Sequence, residues 1–210
     1  MSASPVTVSP DPARQLLRHT VATVAYRAGK ALRDAPAHFS SFHIGDKTRT
    51  PAQILAHMGD LFDWAFSMVQ GNQKWHDSTP LPWTAEVDRF FAAVKKFDDY
   101  LASGEPLHVS IEGLFQGPVA DALTHVGQIA MLRRLAGSPV KGENYLKAEI
   151  AIGRVGPDQS APRREFSSQV SSSPASISCV NAARTNKVTS LTIIIRRVIV
   201  RAVSCRKIPC

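Results

Sequence analysis

Hydrophobic residues recur at steps of three and four positions in four long segments of the chain, and this spacing predicts amphipathic α-helices. The first helix is expected to begin after Asp11, with Pro12 in its first turn, and to end at Ala35-Pro36. Its apolar residues, which form one stripe, are Leu16, Leu17, Val21, Val24, Ala28 and Leu32.

The second predicted helix has the clearest start signal in the sequence. Thr50 is expected to cap it, Pro51 to occupy its first position and Gln53 to complete a capping box. Gly71 provides the stop signal. The apolar residues between these signals are Ile54, Leu55, Met58, Leu61, Phe62, Ala65, Met68 and Val69.

Two more long helices are predicted further along the chain. The third is rich in phenylalanine and is expected from Thr84 to Ser103-Gly104. The fourth covers about 118–136, with Pro118 at its first helical position, and a short further helix is predicted at 144–150. Four substantial helices with short to medium connections predict an all-α protein, a four-helix bundle.

The C-terminal part of the chain differs in composition from the rest. Residues 167–210 contain 7 of the 25 Lys+Arg, none of the 17 Asp+Glu and all three cysteines. Residues 167–178 are rich in serine, and 191–203 form a β-branched run broken by arginines. We therefore assign residues 1–160 to the bundle and 161–210 to a basic Ser/Ile/Arg-rich tail, which we predict to be disordered or non-native, for example through a shifted reading frame.

This distribution changes the meaning of the net charge of +8. Without its tail the chain is almost neutral, so the body is expected to have no specific nucleic-acid-binding face. The body also lacks cysteine, and the sequence shows neither a signal-peptide pattern nor a stretch of about 20 apolar residues. These features predict a protein of the reducing cytoplasm that binds no membrane.

A carboxylate and an imidazole are spaced for joint metal binding in the fourth helix. Asp121 and His125 are four residues apart and therefore lie on the same face of a helix. A third candidate ligand, His57, belongs to the second helix. If the two helices pack together, these side chains can hold one divalent cation and leave a coordination position open.

The segments 54–60 and 121–134 resemble the DinB-like (damage-inducible) superfamily of bacterial metal-binding four-helix bundles. In that family the second helix supplies one histidine and the fourth supplies two, four residues apart, the later one followed by a small or basic residue and Gly-Gln. The resemblance covers roughly residues 11–155. It implies that His57 and His125, which precedes Val126-Gly127-Gln128, are metal ligands and that Asp121 stands where the family usually has histidine.

The resemblance implies an uncharacterised metalloenzyme that acts on a small molecule. Members of the superfamily include transferases and isomerases that use low-molecular-weight thiols, and metal-dependent hydrolases; a homodimer is implied as well. Two imidazoles and one carboxylate suit zinc or nickel, and also iron or manganese. The alternatives are a non-catalytic, stress-associated bundle that binds a ligand or dimerises, and nucleic-acid binding through the tail.

Each of the candidate residues also has a structural interpretation. A histidine on an apolar helix is often a hydrogen-bonded core residue, and Asp121 in a first helical turn is favoured by the helix dipole alone. Gln128 is expected either to orient a metal ligand or to form an ordinary interhelical hydrogen bond. His19 and Trp64 are further candidates for lining the pocket.

Overall fold

The computed structural model describes residues 11–166, in which irregular segments connect the helices. The described residues belong to one compact unit. Of the predicted tail, 161–210, residues 167–210 lie outside the described residues. Residues 161–166 are described, and there the backbone N–H of Phe166 donates to the carbonyl of Gly142 at 2.8 Å. Within them the predicted all-α class is confirmed.

The first two helices begin where the sequence predicts. Helix α1 spans Pro12–Leu32, and the side chain of Asp11 accepts a hydrogen bond from the backbone N–H of Ala13. Helix α2 spans Pro51–Val69 and has both hydrogen bonds of the capping box between Thr50 and Gln53. Such caps satisfy backbone N–H groups that have no partner inside the helix.

Helix α3 spans Trp83–Ser103 and ends at Gly104, whose φ of 80° favours glycine. It begins one residue before the predicted cap Thr84, at Pro82-Trp83. The fourth helical segment consists of α4 (Ile111–Leu114), a π-helical turn (Phe115–Val119) and α5 (Ala120–Leu135). It therefore begins earlier than the predicted position 118.

The helices surround one core. Helix α1 packs against α3 and α5, and α2 packs against the same two helices, so α1 and α2 lie diagonally opposite one another. Apolar stripes of all four meet inside, where Phe62 contacts Phe90 and Phe97 edge-on or tilted. Because the stripes predicted from the sequence face this core, polar residues of α2 and α5 lie along the boundary between these two helices.

The chain after α5 lies against α1 instead of forming the predicted helix at 144–150. Only Tyr145–Lys147 is helical there, as a single 3₁₀ turn. The buried carboxylate of Glu143 accepts hydrogen bonds from the Tyr26 hydroxyl and Lys30 Nζ, both at 2.7 Å. Lys30 also pairs with Glu165 at 2.9 Å. Polar anchoring of this kind fixes the segment without a helix.

Candidate metal centre

The three residues expected to bind a metal come together at the boundary between α2 and α5. His57 lies in the second turn of α2, and Asp121 and His125 lie one turn apart on α5. One potential ligand atom from each side chain lies within 4.8 Å of those of the other two. We call this group, His57, Asp121 and His125, the candidate metal centre.

The spacing of its polar atoms is unusual for a hydrogen-bonded cluster. His57 Nε2 is 3.6 Å from Asp121 Oδ2, and His125 Nε2 is 3.5 Å from Asp121 Oδ1. Both distances exceed the 2.7–3.2 Å of an N–H···O hydrogen bond. Ligand atoms about 2.1 Å from a zinc ion in tetrahedral geometry are roughly 3.4 Å apart, close to both distances. The two histidines face different oxygens of Asp121, and with one atom per residue the three potential ligand atoms lie within 4.8 Å of one another. This convergence is compatible with a shared divalent cation.

Burial keeps the imidazole of His57 in the form that binds metals. The side chain of His125 is 11% exposed and that of His57 is 20% exposed, whereas Asp121 is 45% exposed. Burial lowers the pKa of His57 below its ordinary value; the neighbouring charges of His125 and Arg49 lower it further, and Asp121 opposes them. His57 therefore remains neutral, with a lone pair free, at lower pH than an exposed histidine.

Gln128 contacts His125, one of the three candidate ligands, on the same helix. Its Oε1 is 3.0 Å from His125 Nδ1 and accepts a hydrogen bond from that nitrogen in the corresponding tautomer. The Nε2 lone pair of His125 then faces Asp121. Histidine ligands are commonly oriented in this way by a partner on the other ring nitrogen.

Aromatic side chains form one wall beside the centre. The centroid of the His57 ring is 4.8 Å from that of His125 and 5.6 Å from that of Trp75, and both pairs have edge-to-face geometry. Trp64, the predicted wall residue, packs against Trp75, with 5.7 Å between the ring centroids. Trp75 therefore lies between Trp64 and His57 in this wall. His19 is exposed on α1 and belongs neither to the cluster nor to the adjoining cleft.

The π-helical turn before α5 changes the interpretation of Asp121. Pro118 has no N–H and lies inside this turn, where the N–H of Ala120 reaches back to the carbonyl of Phe115. The helical segment starts at its cap, Ser110, about three turns before Asp121. Because the dipole effect is confined to the first turn, it does not account for the acid at this position.

A polar cleft of 320 Å³ opens beside His57. One wall is formed by Arg49, which precedes α2, and by Gln53, His57 and Asp60 of α2. The other wall is formed by residues 77–80. A molecule in this cleft would reach the imidazole of His57 from solvent. The candidate metal centre therefore has both its donors and an open approach.

A second group of acids and histidine lies one turn further along α2, and it was not predicted. Asp60, Asp63 and His76 also bring potential ligand atoms within 4.8 Å of one another. Here, however, Arg89 from α3 occupies the middle: its Nη1 is 3.0 Å from Asp60 Oδ1 and 3.4 Å from Asp63 Oδ2. We call these four residues the arginine-filled cluster.

Asp60 and Arg89 of the arginine-filled cluster each have several hydrogen-bond partners. The backbone N–H and hydroxyl of Ser78 donate to Asp60 at 2.8 and 2.7 Å, and Arg89 Nε donates to Glu86 at 2.7 Å. The guanidinium lies over Gly59, where a Cβ would be 2.7 Å from Arg89 Nη2. The cluster therefore ties residues 76–78 to α2 and α3, and its cation is built in.

Sequence reasoning missed this cluster because its members come from three separate segments. Asp60 is three residues from His57 on the same helix, but His76 lies in an irregular segment. No spacing connects either residue with Arg89. The only available signal was Gly59 in the middle of an otherwise well-formed helix.

Comparison of the chain with protein-family models, with curated proteins and with solved structures finds no match. Within residues 11–166, none of the helices combines the length and apolar character required to span a membrane.

Proposed function

We propose that this chain is a DinB-like four-helix bundle and a divalent-metal-dependent enzyme. The proposed ligands are His57, Asp121 and His125, and the reaction is a thiol-dependent transfer or a hydrolysis carried out on a small molecule. The observation that carries the proposal is the spacing of these side chains. Two imidazoles face one carboxylate at distances too long for hydrogen bonds and suited to ligands that share a cation.

The protein side of the proposed chemistry is binding and orientation. Gln128 holds His125 with Nε2 towards Asp121, and burial keeps His57 neutral. The polar cleft admits a small molecule next to His57, while Trp75 covers one side of the imidazole. A divalent cation at such a site supplies Lewis acidity and lowers the pKa of water or a thiol towards neutrality.

The donor set also narrows the choice of cation. Two neutral imidazoles and one carboxylate leave a net charge of +1 with a divalent ion and include no soft sulfur ligand. Zinc and nickel are the preferred candidates, followed by iron and manganese, because imidazole nitrogen suits all of these metals. Calcium and magnesium prefer sites made of oxygen ligands alone.

The proposal is tested by titrating the metal-free protein with zinc, nickel, iron(II) and manganese by calorimetry. We expect one tightly bound cation per chain, lost in His57→Ala and in His125→Ala. His19→Ala is the matched control, since His19 is an exposed helical histidine outside the centre, and it should bind metal like the wild type. The loaded protein is then assayed for transfer of a low-molecular-weight thiol and for hydrolysis.

Two results would contradict the proposal. A protein that binds none of the four cations would instead be a bundle that binds ligands without metal chemistry. Equal metal binding by the wild type and by His57→Ala would place the cation elsewhere in the chain.

A further inference from the structure

An apolar groove runs along α5 on the side away from the core. Its volume is 600 Å³, within the range of small-molecule sites. Large hydrophobic side chains remain exposed on its walls: Ile44 is 60% exposed, Met131 55% and Leu135 52%. Ile54 and Leu132 form its buried floor. Exposed apolar residues gathered in one concave place indicate a binding surface rather than ordinary surface scatter.

One end of this groove touches the residues that support the candidate metal centre. Thr124 and Gln128 line the groove; the Thr124 hydroxyl donates to the backbone carbonyl of Asp121 at 2.7 Å, and Gln128 contacts His125. Residues 124 to 135 of α5 extend the groove from the centre over about 16 Å, at 1.5 Å per helical residue. A ligand in the groove therefore lies end-on to the centre.

Arg49 joins the groove to the polar cleft, because it lines both. It is the one charged residue among those lining the groove. Its side chain is exposed, and none of the salt bridges within residues 11–166 involves it. The guanidinium is therefore available for a ligand at the point where the two cavities meet.

From this arrangement we infer that the substrate is an amphipathic carboxylate, with its alkyl chain in the apolar groove and its carboxylate at Arg49. Guanidinium groups bind carboxylates through paired hydrogen bonds, which fixes the end of the ligand as well as its charge. The apolar length of the groove selects a chain, and Arg49 selects an anion. The inference rests on the proposed function only in calling this ligand a substrate; the binding site is independent of any metal.

The test is a calorimetric titration with sodium decanoate, carried out on both metal-free and zinc-loaded protein. Acetate, which has the charge without the chain, and decyltrimethylammonium, which has the chain with the opposite charge, should each bind at least about tenfold more weakly. Arg49→Gln and the double variant Met131→Ser, Leu135→Ser should weaken decanoate binding by a similar factor. All three side chains are exposed, so these variants are expected to fold.

Two matched controls separate the site from general surface effects. Lys47→Gln removes an exposed cation from the same segment outside both cavities, and Leu146→Ser removes a leucine that is 88% exposed elsewhere. Both should bind decanoate as the wild type does. Decanoate binding that persists in Arg49→Gln, or equal binding of the cationic amphiphile, would overturn the inference.

The oligomeric state, measured by sedimentation, tests whether a second copy of this chain occupies the groove instead of a ligand. If the double serine variant turned a dimer into a monomer and still bound decanoate, the groove would be a contact between two copies and the inference would be wrong. Failure of the proposed function is recognised separately, because it appears as absence of metal binding, whereas decanoate is titrated with and without zinc.

Discussion

Two groups of histidine and aspartate lie next to each other along α2, and only one of them contains a cationic side chain that balances its carboxylates. In the candidate metal centre, His57 Nε2 and Asp121 Oδ2 are 3.6 Å apart and no arginine or lysine is hydrogen-bonded to either among residues 11–166. In the arginine-filled cluster, Arg89 lies 3.0 Å from Asp60. Convergence of ligand-type side chains therefore does not by itself indicate a metal site; the deciding feature is whether the protein already supplies a cation.

Burial explains why the arginine-filled cluster needs an internal cation. The side chain of Asp60 is 2% exposed and that of Glu86 is fully buried, and buried carboxylates are tolerated only when they are paired and hydrogen-bonded. The side chain of Asp121 is 45% exposed, so water solvates its carboxylate. The arginine-filled cluster therefore depends on its internal cation, whereas the burial of Asp121 does not require one.

The largest expected effect comes from removing the built-in cation. Arg89→Ala should lower the free energy of unfolding by about 3–5 kcal/mol, because it leaves two buried carboxylates without their partner. Urea denaturation monitored by circular dichroism measures the change.

Two controls sharpen this prediction. Lys95→Met removes an exposed cation of α3 that pairs with Asp99 and should change stability by less than about 0.5 kcal/mol. Asp121→Asn in the metal-free protein should have an equally small effect. A large loss of stability in Asp121→Asn would mean that both clusters are structural and would remove the contrast.

The second prediction concerns metal stoichiometry. Because Arg89 occupies the arginine-filled cluster, the wild type should bind one divalent cation and not two. His76→Ala should keep that cation. His57→Ala should lower the affinity by more than about 100-fold, because loss of a residue that only orients a ligand already lowers metal affinity by about 10–100-fold. Calorimetry with zinc compares the three proteins. If only His76→Ala lost the metal, the cation would belong to the arginine-filled cluster and the prediction would be wrong.

A smaller effect is expected from Gln128→Ala. This variant removes the hydrogen bond to His125 Nδ1 but leaves all three proposed ligands in place. We expect a decrease of about tenfold in zinc affinity, with the stoichiometry unchanged, since the imidazole is no longer held in one orientation. Gln116→Ala, which changes an exposed glutamine of the same helical segment outside the candidate metal centre, tests whether loss of any amide has the same effect.

The smallest effect concerns the acid sensitivity of the metal-free protein. Burial lowers the pKa of His57 in the folded state, so the unfolded chain binds a proton first as the pH falls. Part of the stability should therefore be lost between the ordinary value of about 6.5 and the lower folded pKa. In His57→Gln this part of the loss should disappear when urea denaturation at about pH 7 and about pH 5 is compared. An unchanged pH dependence would mean that His57 is as well solvated in the fold as outside it.

Much of the helical architecture could be predicted from local sequence signals. The capping box of Thr50 and Gln53 and the stop before Gly71 set the limits of α2, because these effects act within one turn. The fourth helical segment was predicted to begin too late. Pro118 is typical of a first turn, but the π-helical geometry accommodates it inside a longer segment that begins at Ile111.

The candidate site could be predicted only as far as its members share a helix or the resemblance connects them. The four-residue spacing of Asp121 and His125 is a property of one helix. The wall residue Trp75 and the cation Arg89 could not be predicted, because irregular residues and a third helix bring them to α2. No periodicity connects residues that approach one another only through packing.

The sequence by itself determined the helices, their apolar faces and the pair of ligand-type residues on α5, since each depends on neighbours within a few positions. Tertiary structure alone decided which acids received an internal cation. Asp60 and Asp121 are the same residue type on the polar edges of two adjacent helices, and Arg89 reaches only one of them. That difference arises from the packing of α3 against α2, which places a guanidinium over Gly59 and leaves the side of His57 open to the cleft.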